Sequence, residues 1–306
     1  MTNKAMSGAD WAILLFLSVL WGGSFFFIEI AIRTVAPLTL VLIRVALAAA
    51  MLWAWLLVRR ERLAMPPGAA LAFLILALLN NVVPFVLFAW AQEAIDGGLA
   101  SILNATTPIW GVLVAHIFTA DEKATPAKVA GVLLGFGGVA AMIGAELLGR
   151  IGTGALAQAA CLFATLCYAL AGVYARRFRA MGVPPVAVST GQLTASAIVM
   201  LPLVLVFEPP WLMPPPSAAA WTALIALALL CTSLAYILYF RLLASAGATN
   251  SLLVTFLIPV TAILLGALIL GERLEPRHVL GMALIGLGLA AIDGRLLSRR
   301  RPRPAA

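Results

Sequence analysis

The chain has 306 residues, of which 63% are hydrophobic and only 10% are charged, and its mean hydropathy is +1.08. A soluble domain carries about a quarter charged residues, so this composition excludes a soluble globular protein and indicates one that lies in lipid. The formal net charge of +8 does not indicate nucleic-acid binding, because the basic residues stand in short segments between apolar runs, as topology signals do.

Apolar runs of about 20 residues, the length that crosses a bilayer, follow one another along the chain. The first is too long for the apolar part of a signal peptide, and we expect it to be retained. The predicted fold class is an all-α membrane protein with ten transmembrane helices, at 11–32, 38–58, 69–92, 96–119, 126–145, 153–175, 184–206, 217–242, 247–270 and 276–295.

Lysine and arginine are concentrated in alternate connecting segments. With a cytoplasmic N-terminus, most of the 20 basic residues fall on the cytoplasmic side, including the groups at 59–62 and 176–179 and a basic tail at 299–303. Because cytoplasmic segments carry the excess of Lys and Arg, we predict that both termini lie in the cytoplasm.

Reporter fusions test this orientation. Reporters placed after Arg62 and after Arg179 should give a cytoplasmic signal, and a reporter at Pro214 should give an external one, since the basic residues divide in that way. A cytoplasmic signal from a reporter placed after Glu272 would contradict the predicted topology.

The sequence at the end of the fourth predicted helix repeats at the end of the ninth. Residues 122–131 and 272–281 share the pattern Glu-(Lys/Arg)-x-x-Pro-x4-Gly. This predicts two halves of five helices each, 1–148 and 149–306. Because five is odd, the second half is inverted in the membrane, as in many secondary transporters, whose substrate cavity lies between the repeats. We expect Gly131, Gly135 and Gly138, with Gly281 and Gly288, to form close helix contacts.

The predicted cavity residues are polar or aromatic groups near the middle of these helices. Trp-Gly-Gly-Ser at 21–24 weakens the first helix there, which favours either a cavity or close helix packing. Prolines 84, 108 and 259 leave the carbonyls of residues 80, 104 and 255 without helical partners, to be satisfied by side chains, water or substrate. Some of the aromatic residues could instead belong to the interfacial belt, Trp90 in particular. The candidate substrate-binding residues are Trp21, Ser24, Asn80, Pro84, Phe88, Trp90, Asn104, Tyr168, Tyr236, Tyr239 and Thr255.

Two charged residues inside the predicted helices are candidates for a gate or an ion pair. Glu29 and Arg44 could pair with each other or contact substrate, and Glu29 could instead pair with Arg33, four residues on. No Asp, Glu or His stands in the central third of the predicted membrane, where proton relays are usually built. We therefore expect an uncharged polar and aromatic site, and transport without proton coupling.

Four sequence features carry a family resemblance: VLWGGSFFFIEIA in the first helix, PLTLVLIRVALAA in the second, LNATTPIWGVLVA in the fourth, and the two Glu-x-x-x-Pro-x4-Gly segments. With them the chain resembles the EamA-type ten-helix permeases of the drug/metabolite transporter superfamily over nearly its whole length. Among these it is most similar to YddG-type exporters of aromatic amino acids and cationic drugs. The resemblance implies export of small metabolites by alternating access across a bacterial inner membrane.

The predicted function is therefore export of amino acids, aromatic or otherwise neutral. The alternatives are a carrier of drugs or nucleotide-derived metabolites, and a lipid flippase or membrane-embedded lipid-modifying enzyme. The sequence contains no metalloprotease or phosphate-loop motif, so we expect no enzymatic activity, no cofactor and no metal. The expected partners are a small-molecule substrate and the lipid bilayer, with no nucleic acid, and the protein is expected to be a monomer or a homodimer.

Overall fold

The computed structural model describes residues 6–63, 65–143, 154–270 and 275–293, and no strand occurs within them. Seven of the helices in these ranges are long and apolar enough to cross a membrane, and three further apolar helices are shorter. The predicted all-α membrane fold is confirmed. In chain order the helices are α1 (Gly8–Ala31), α2 (Pro37–Arg59), α3 (Ala69–Ala91), α4 (Gly97–Phe118), α5 (Pro126–Ile143), α6 (Ala155–Ala180), α7 (Pro185–Phe207), α8 (Ala218–Ala246), α9 (Ala248–Leu252 with Val254–Leu270) and α10 (Pro276–Asp293).

The helix starts follow local sequence signals. Proline is the first residue of α2, α5, α7 and α10. Proline suits this position because its missing N–H would have no helical acceptor there. At α1, the Ser7 side chain accepts from the Asp10 N–H while the Asp10 carboxylate accepts from the Ser7 N–H, which forms a capping box.

α3 and α8 both widen into π-helical turns near their centres, at Leu78–Val82 and Leu229–Leu234. In α3 the turn precedes Pro84, whose ring removes a backbone donor. In α8 two hydroxyls donate to carbonyls five residues earlier, Thr232 to Leu227 at 2.7 Å and Ser233 to Ala228 at 2.8 Å. Because π turns expose backbone groups and frequently occur at functional sites, both helices merit inspection at this level.

The helices pack mainly across the two parts of the chain. α1 contacts α8 and α9, and α6 contacts α3 and α4. α2 packs against α7, and α5 packs extensively against α10. Each of these contacts joins a helix before residue 143 to one after residue 154, so the interior lies between the two parts.

α5 and α10 meet through the glycines that the sequence aligned. A Cβ added to Gly131 would lie 2.7 Å from the Gly288 carbonyl oxygen, and one added to Gly138 would lie 2.7 Å from that of Gly281. Residue 131 therefore faces 288 while 138 faces 281, so the helices are antiparallel and each half supplies equivalent glycines. The predicted close glycine contacts are confirmed.

Side-chain contacts define the two ends of the helix bundle. At one end, which we call the basic end, Ser245 Oγ donates to Asp10 Oδ1 at 2.6 Å. At the opposite end, the Glu208 carboxylate accepts from the N–H groups of Leu38 at 3.0 Å and Thr39 at 2.7 Å. The helices that end or begin at the basic end carry Arg59, Arg60, Arg62, Lys123, Lys128, Arg176, Arg177, Arg179 and Arg241.

The opposite end carries Arg33 and Arg277 among the described residues. This asymmetry fits a cytoplasmic basic end, but the orientation in the cell stays a prediction. Three features of the sequence lie outside the described residues. They are the predicted boundary at residues 148 and 149, the first two residues of the second repeated motif, Glu272 and Arg273, and the basic tail.

Candidate functional site: a central cavity

A cavity of about 80 Å³ lies between α1, α2, α3, α4, α6, α8 and α9. Such a cavity holds several waters or part of a small ligand. Ten of the predicted residues line it, nine of them candidates for substrate binding and the tenth Arg44. The lining residues are Trp21, Ser24, Phe25, Ile28, Arg44, Asn80, Phe85, Phe88, Asn104, Thr107, Tyr168, Tyr236, Tyr239, Leu252, Val254, Thr255 and Ile258.

Aromatic rings form much of the cavity wall. The Trp21 ring centroid lies 5.5 Å from that of Tyr239 and 6.3 Å from that of Tyr236. Phe88 stacks on Tyr168 with a centroid distance of 6.2 Å and an interplanar angle of 16°. These rings come from α1, α3, α6 and α8, so both parts of the chain contribute to an apolar, polarizable surface that suits a planar or apolar side chain.

The Trp-Gly-Gly-Ser segment serves both the cavity and helix packing. Trp21 Nε1 donates to the Cys231 carbonyl in the π turn of α8 at 3.1 Å, which holds the indole against the cavity. A Cβ added to Gly22 would lie 3.1 Å from Thr261 Oγ1, so the glycine permits the close approach of α1 to α9. Trp21 and Ser24 line the cavity, whereas Gly22 packs against α9.

A buried polar network lies beside the cavity, between α3, α7 and α8. Asn80 Nδ2 donates to Gln192 Oε1 at 3.1 Å, and Asn81 Nδ2 donates to Ser196 Oγ at 2.8 Å. Tyr236 Oη lies 2.6 Å from Asn81 Oδ1 and 3.1 Å from the Asn80 carbonyl oxygen, and its single hydrogen serves one of them at a time. Buried networks of this kind fix side-chain orientation when their groups are satisfied.

Two of the carbonyls freed by proline find acceptable donors within the chain itself. Tyr236 Oη reaches the Asn80 carbonyl, and Thr107 Oγ1 donates to the Asn104 carbonyl at 2.6 Å. The Asn104 carbonyl therefore does not require substrate as a donor, whereas the Asn80 carbonyl shares the Tyr236 hydrogen with Asn81 Oδ1. The side chains of Asn80 and Asn104 still line the cavity.

Arg44 is the charged residue of the cavity lining. It is 4% exposed, its Nε donates to Thr232 Oγ1 at 2.8 Å, and its guanidinium carbon lies 3.8 Å from the centroid of the Phe85 ring. The expectation of an uncharged site is wrong, because a guanidinium lines the cavity. The sequence left Arg44 open as a gate, an ion pair or a substrate contact, because a single sequence does not show which helices surround α2.

Three candidate residues do not line the cavity. Pro84 is buried within α3, and Trp90, at 39% exposed, lies two residues after Phe88 and thus on the opposite helix face. Glu29 is exposed and its Oε1 lies 3.8 Å from Arg33 Nη2. In the described residues Glu29 therefore pairs with Arg33, while Arg44 contacts Phe85.

Sequence reasoning missed several lining residues, most of them apolar: Phe25, Ile28, Phe85, Thr107, Leu252, Val254 and Ile258. Helical spacing is the signal that could have found the first two, since they follow Trp21 by four and seven residues. Aliphatic residues of α9 give no such signal, because this helix is apolar on every face.

The basic end is held by a buried carboxylate. Glu122 accepts from the Ala248 and Thr249 N–H groups at 3.0 and 2.9 Å and from Thr249 Oγ1 at 2.6 Å, which caps the start of α9. Arg176 contacts Glu122 at 3.5 Å and donates to Asp121. The hydrogen bond from Arg176 holds the pKa of the Asp121 carboxyl below its ordinary value.

A second, wider cavity of about 1000 Å³ lies beside this cluster, between the cluster and the ends of α6, α7 and α8. Within the described part of the chain, no group of three or more His, Cys, Asp or Glu side chains is placed to hold a metal ion.

The sequence pattern of the EamA-like transporter family matches the chain twice, at residues 9–144 and 155–292. The uncharacterized transporter YoaV of Bacillus subtilis (strain 168) is 24% identical over 282 residues, covering 90% of this chain and 94% of the relative. A probable terminal-alkyne amino-acid exporter of Streptantibioticus cattleyicolor is 28% identical over 305 residues, covering 97% of both chains.

The uncharacterized inner membrane transporter YedA of Escherichia coli (strain K12) is 25% identical over 296 residues, covering 94% of this chain and 92% of the relative. A solved crystal structure is similar with a TM-score of 0.73 and 23% identity, covering 98% of this chain and 100% of that one, which shows a shared fold. With both parts of the chain matched and a cavity between them, this protein belongs to the EamA-like transporter family.

Proposed function

We propose that this membrane transporter exports neutral amino acids, aromatic ones among them, from the cytoplasm across a bacterial inner membrane. The observation that carries the proposal is the central cavity, which rings and amides from both parts of the chain line together. The rings suit an apolar side chain, and the amides and hydroxyls suit the polar groups of an amino acid. Alternating access then exposes this site to each side in turn.

Proton coupling is not part of the proposal. Within the described residues, the cavity lining contains no Asp, Glu or His, the side chains from which proton relays are usually built. An arginine does not replace them, because a guanidinium keeps its proton at physiological pH. The substrate therefore moves down its own concentration gradient, outward whenever the cytoplasm holds more of it.

Purified protein in liposomes tests this function. Flux of phenylalanine or tyrosine should exceed that of protein-free liposomes, should persist without a pH gradient, and should change little when an imposed gradient is collapsed. Protein-dependent accumulation that requires a pH gradient and is lost in Glu29→Gln would contradict uncoupled transport. Failure to move any amino acid in either direction would contradict the substrate class.

The alternatives fit the cavity less well. A lipid flippase needs a lateral opening with basic groups at its mouth, whereas Arg44 is buried among rings. A membrane-embedded enzyme needs an activated nucleophile or an acid–base pair, and the described lining residues offer hydroxyls but no carboxylate, imidazole or thiol to activate them. A carrier of drugs or nucleotide-derived metabolites shares the proposed transport mechanism, and the substrate panel below separates it.

A further inference from the structure

The geometry points to Arg44 as the residue that selects substrates bearing a carboxylate, by binding that group in the central cavity. This inference rests on the proposed function and deepens it by naming the group that the site recognises. It also excludes one class of cargo, since amines that lack an anionic group meet a like charge in the cavity.

The first step of the argument is the burial of a permanent charge. Arg44 is 4% exposed, and its guanidinium keeps its proton. A buried charge is stable only when an opposite charge or several hydrogen bonds compensate the loss of water. The ring of Phe85, 3.8 Å away, compensates part of this through its negative face.

The second step is the absence of a counter-charge among the described residues. The acidic partners recorded for arginines there belong to Arg33, Arg59, Arg176 and Arg277, and none belongs to Arg44. The described residues that line the cavity with Arg44 are all uncharged. A carboxylate that enters the cavity thus supplies the missing opposite charge.

The third step is the orientation of the guanidinium. Thr232 Oγ1 donates its own hydrogen to the Leu227 carbonyl at 2.7 Å, so its lone pairs are free to accept from Arg44 Nε at 2.8 Å. The guanidinium carbon also lies 3.8 Å from the centroid of the Phe85 ring, which gives the group a second contact. Neither Nη1 nor Nη2 has a hydrogen-bond partner among the described residues, so both remain available to bind a carboxylate with two parallel hydrogen bonds.

The rest of the cavity matches the other groups of a zwitterionic amino acid. The rings of Trp21, Tyr236 and Tyr239 offer an apolar surface against which an apolar side chain can pack. Oxygen acceptors for an ammonium group are available on lining residues such as Asn104 and Thr255. The carboxylate of the substrate thus needs a cation, and its ammonium group needs neutral oxygen acceptors. The cavity lining contains both kinds of group.

The experiment compares four compounds that share a phenyl ring: phenylalanine, phenylalanine amide, 2-phenylethylamine and phenyl phosphate. Transport of each is measured in liposomes for the wild type and for Arg44→Gln. The wild type should move phenylalanine and reject both amines. Arg44→Gln should lower phenylalanine transport roughly 10- to 100-fold, the range that corresponds to loss of a charged hydrogen-bonded contact.

Three further variants distinguish the effects of the positive charge, of the planar guanidinium that donates two parallel hydrogen bonds, and of folding. Arg33→Gln removes an exposed arginine in the turn after α1 and should leave transport unchanged. Arg44→Lys keeps the charge but loses the planar group that donates two parallel hydrogen bonds, so it should transport phenylalanine faster than Arg44→Gln and more slowly than the wild type. Thr232→Val removes the acceptor that positions Nε and should raise KM several-fold with little change in maximal rate. The last two variants keep the test valid if Arg44→Gln does not fold.

Each outcome decides between the two proposals. Phenylalanine transport that is normal in Arg44→Gln overturns the role of Arg44 and leaves the proposed function standing. If the wild type moves phenyl phosphate but no amino acid, the proposed function fails, and loss of that flux in Arg44→Gln supports the anion-binding role. If the wild type moves only the amines lacking an anionic group, both proposals are overturned.

Discussion

Gly288→Ala should lower the free energy of unfolding by about 1–3 kcal/mol, because overpacking against rigid groups is destabilising. A Cβ at this position would lie 2.5 Å from the Gly131 carbonyl oxygen and 2.8 Å from the Gly135 nitrogen. Both are backbone atoms, so relief requires α5 and α10 to separate along their shared surface. The check is the apparent Tm in mild detergent, read from the fraction of protein that stays monodisperse after heating; it should fall relative to the wild type.

Gly286→Ala is the matched control on the same helix. Gly286 is exposed, and a Cβ added there meets nothing within 4 Å. Alanine also has the higher helix propensity, by about 1 kcal/mol in water, so this variant should be neutral or slightly more stable. Gly138→Ala and Gly137→Ala form the corresponding pair on α5. Equal effects within either pair would show that α5 and α10 are not packed as described.

Ser24→Leu should reduce amino-acid flux by at least tenfold while leaving the amount of folded protein nearly unchanged. Ser24 is 7% exposed and lines the cavity beside Phe25 and Ile28. No hydrogen bond of its hydroxyl is recorded in the described residues, so leucine removes no recorded contact and instead occupies cavity space. The measurement is initial uptake in liposomes, normalised to protein recovered as a single peak in size-exclusion chromatography.

Phe26→Leu controls for the effect of a new leucine on α1. Phe26 is 60% exposed on the outer surface of the helices, so the change should alter neither flux nor yield. If Ser24→Leu transports at the wild-type rate, the cavity between the two parts of the chain is not the substrate path. If both variants lose folded protein equally, Ser24 has a packing role.

The sequence predicted the helices well because their signal is strong in a chain this apolar. The predicted spans 38–58 and 276–295 correspond to Pro37–Arg59 and Pro276–Asp293, each of which begins at a proline. The glycine contacts were also predictable, since small residues at aligned positions mark close helix packing. The π turns were not predictable. A proline follows the turn in α3, but α8 forms its π turn without a proline after it.

The cavity was predicted in its polar and aromatic residues and missed in its aliphatic ones. Asn80 and Tyr239 stand out in apolar helices, whereas Leu252 and Ile258 resemble the many leucines and isoleucines that face lipid. Trp90 does not line the cavity, which leaves the interfacial alternative, since sequence gives helix phase only when one face differs from another. Arg44 shows a further limit, because its uncompensated charge depends on which helices surround it.

If Arg44 binds the substrate carboxylate as we propose, its constant charge leaves the voltage dependence of transport to the charge of the substrate. Because this guanidinium keeps its proton throughout the cycle, the electrical work of moving a substrate depends on the charge of the substrate alone. A zwitterion carries no net charge, so its export neither draws on nor dissipates the potential. An anionic metabolite leaving a cell with a negative interior would gain about 2.3 kcal/mol per charge for each 100 mV. If the proposed carboxylate site also accepts anions, it can therefore use voltage as a driving force without any titratable group.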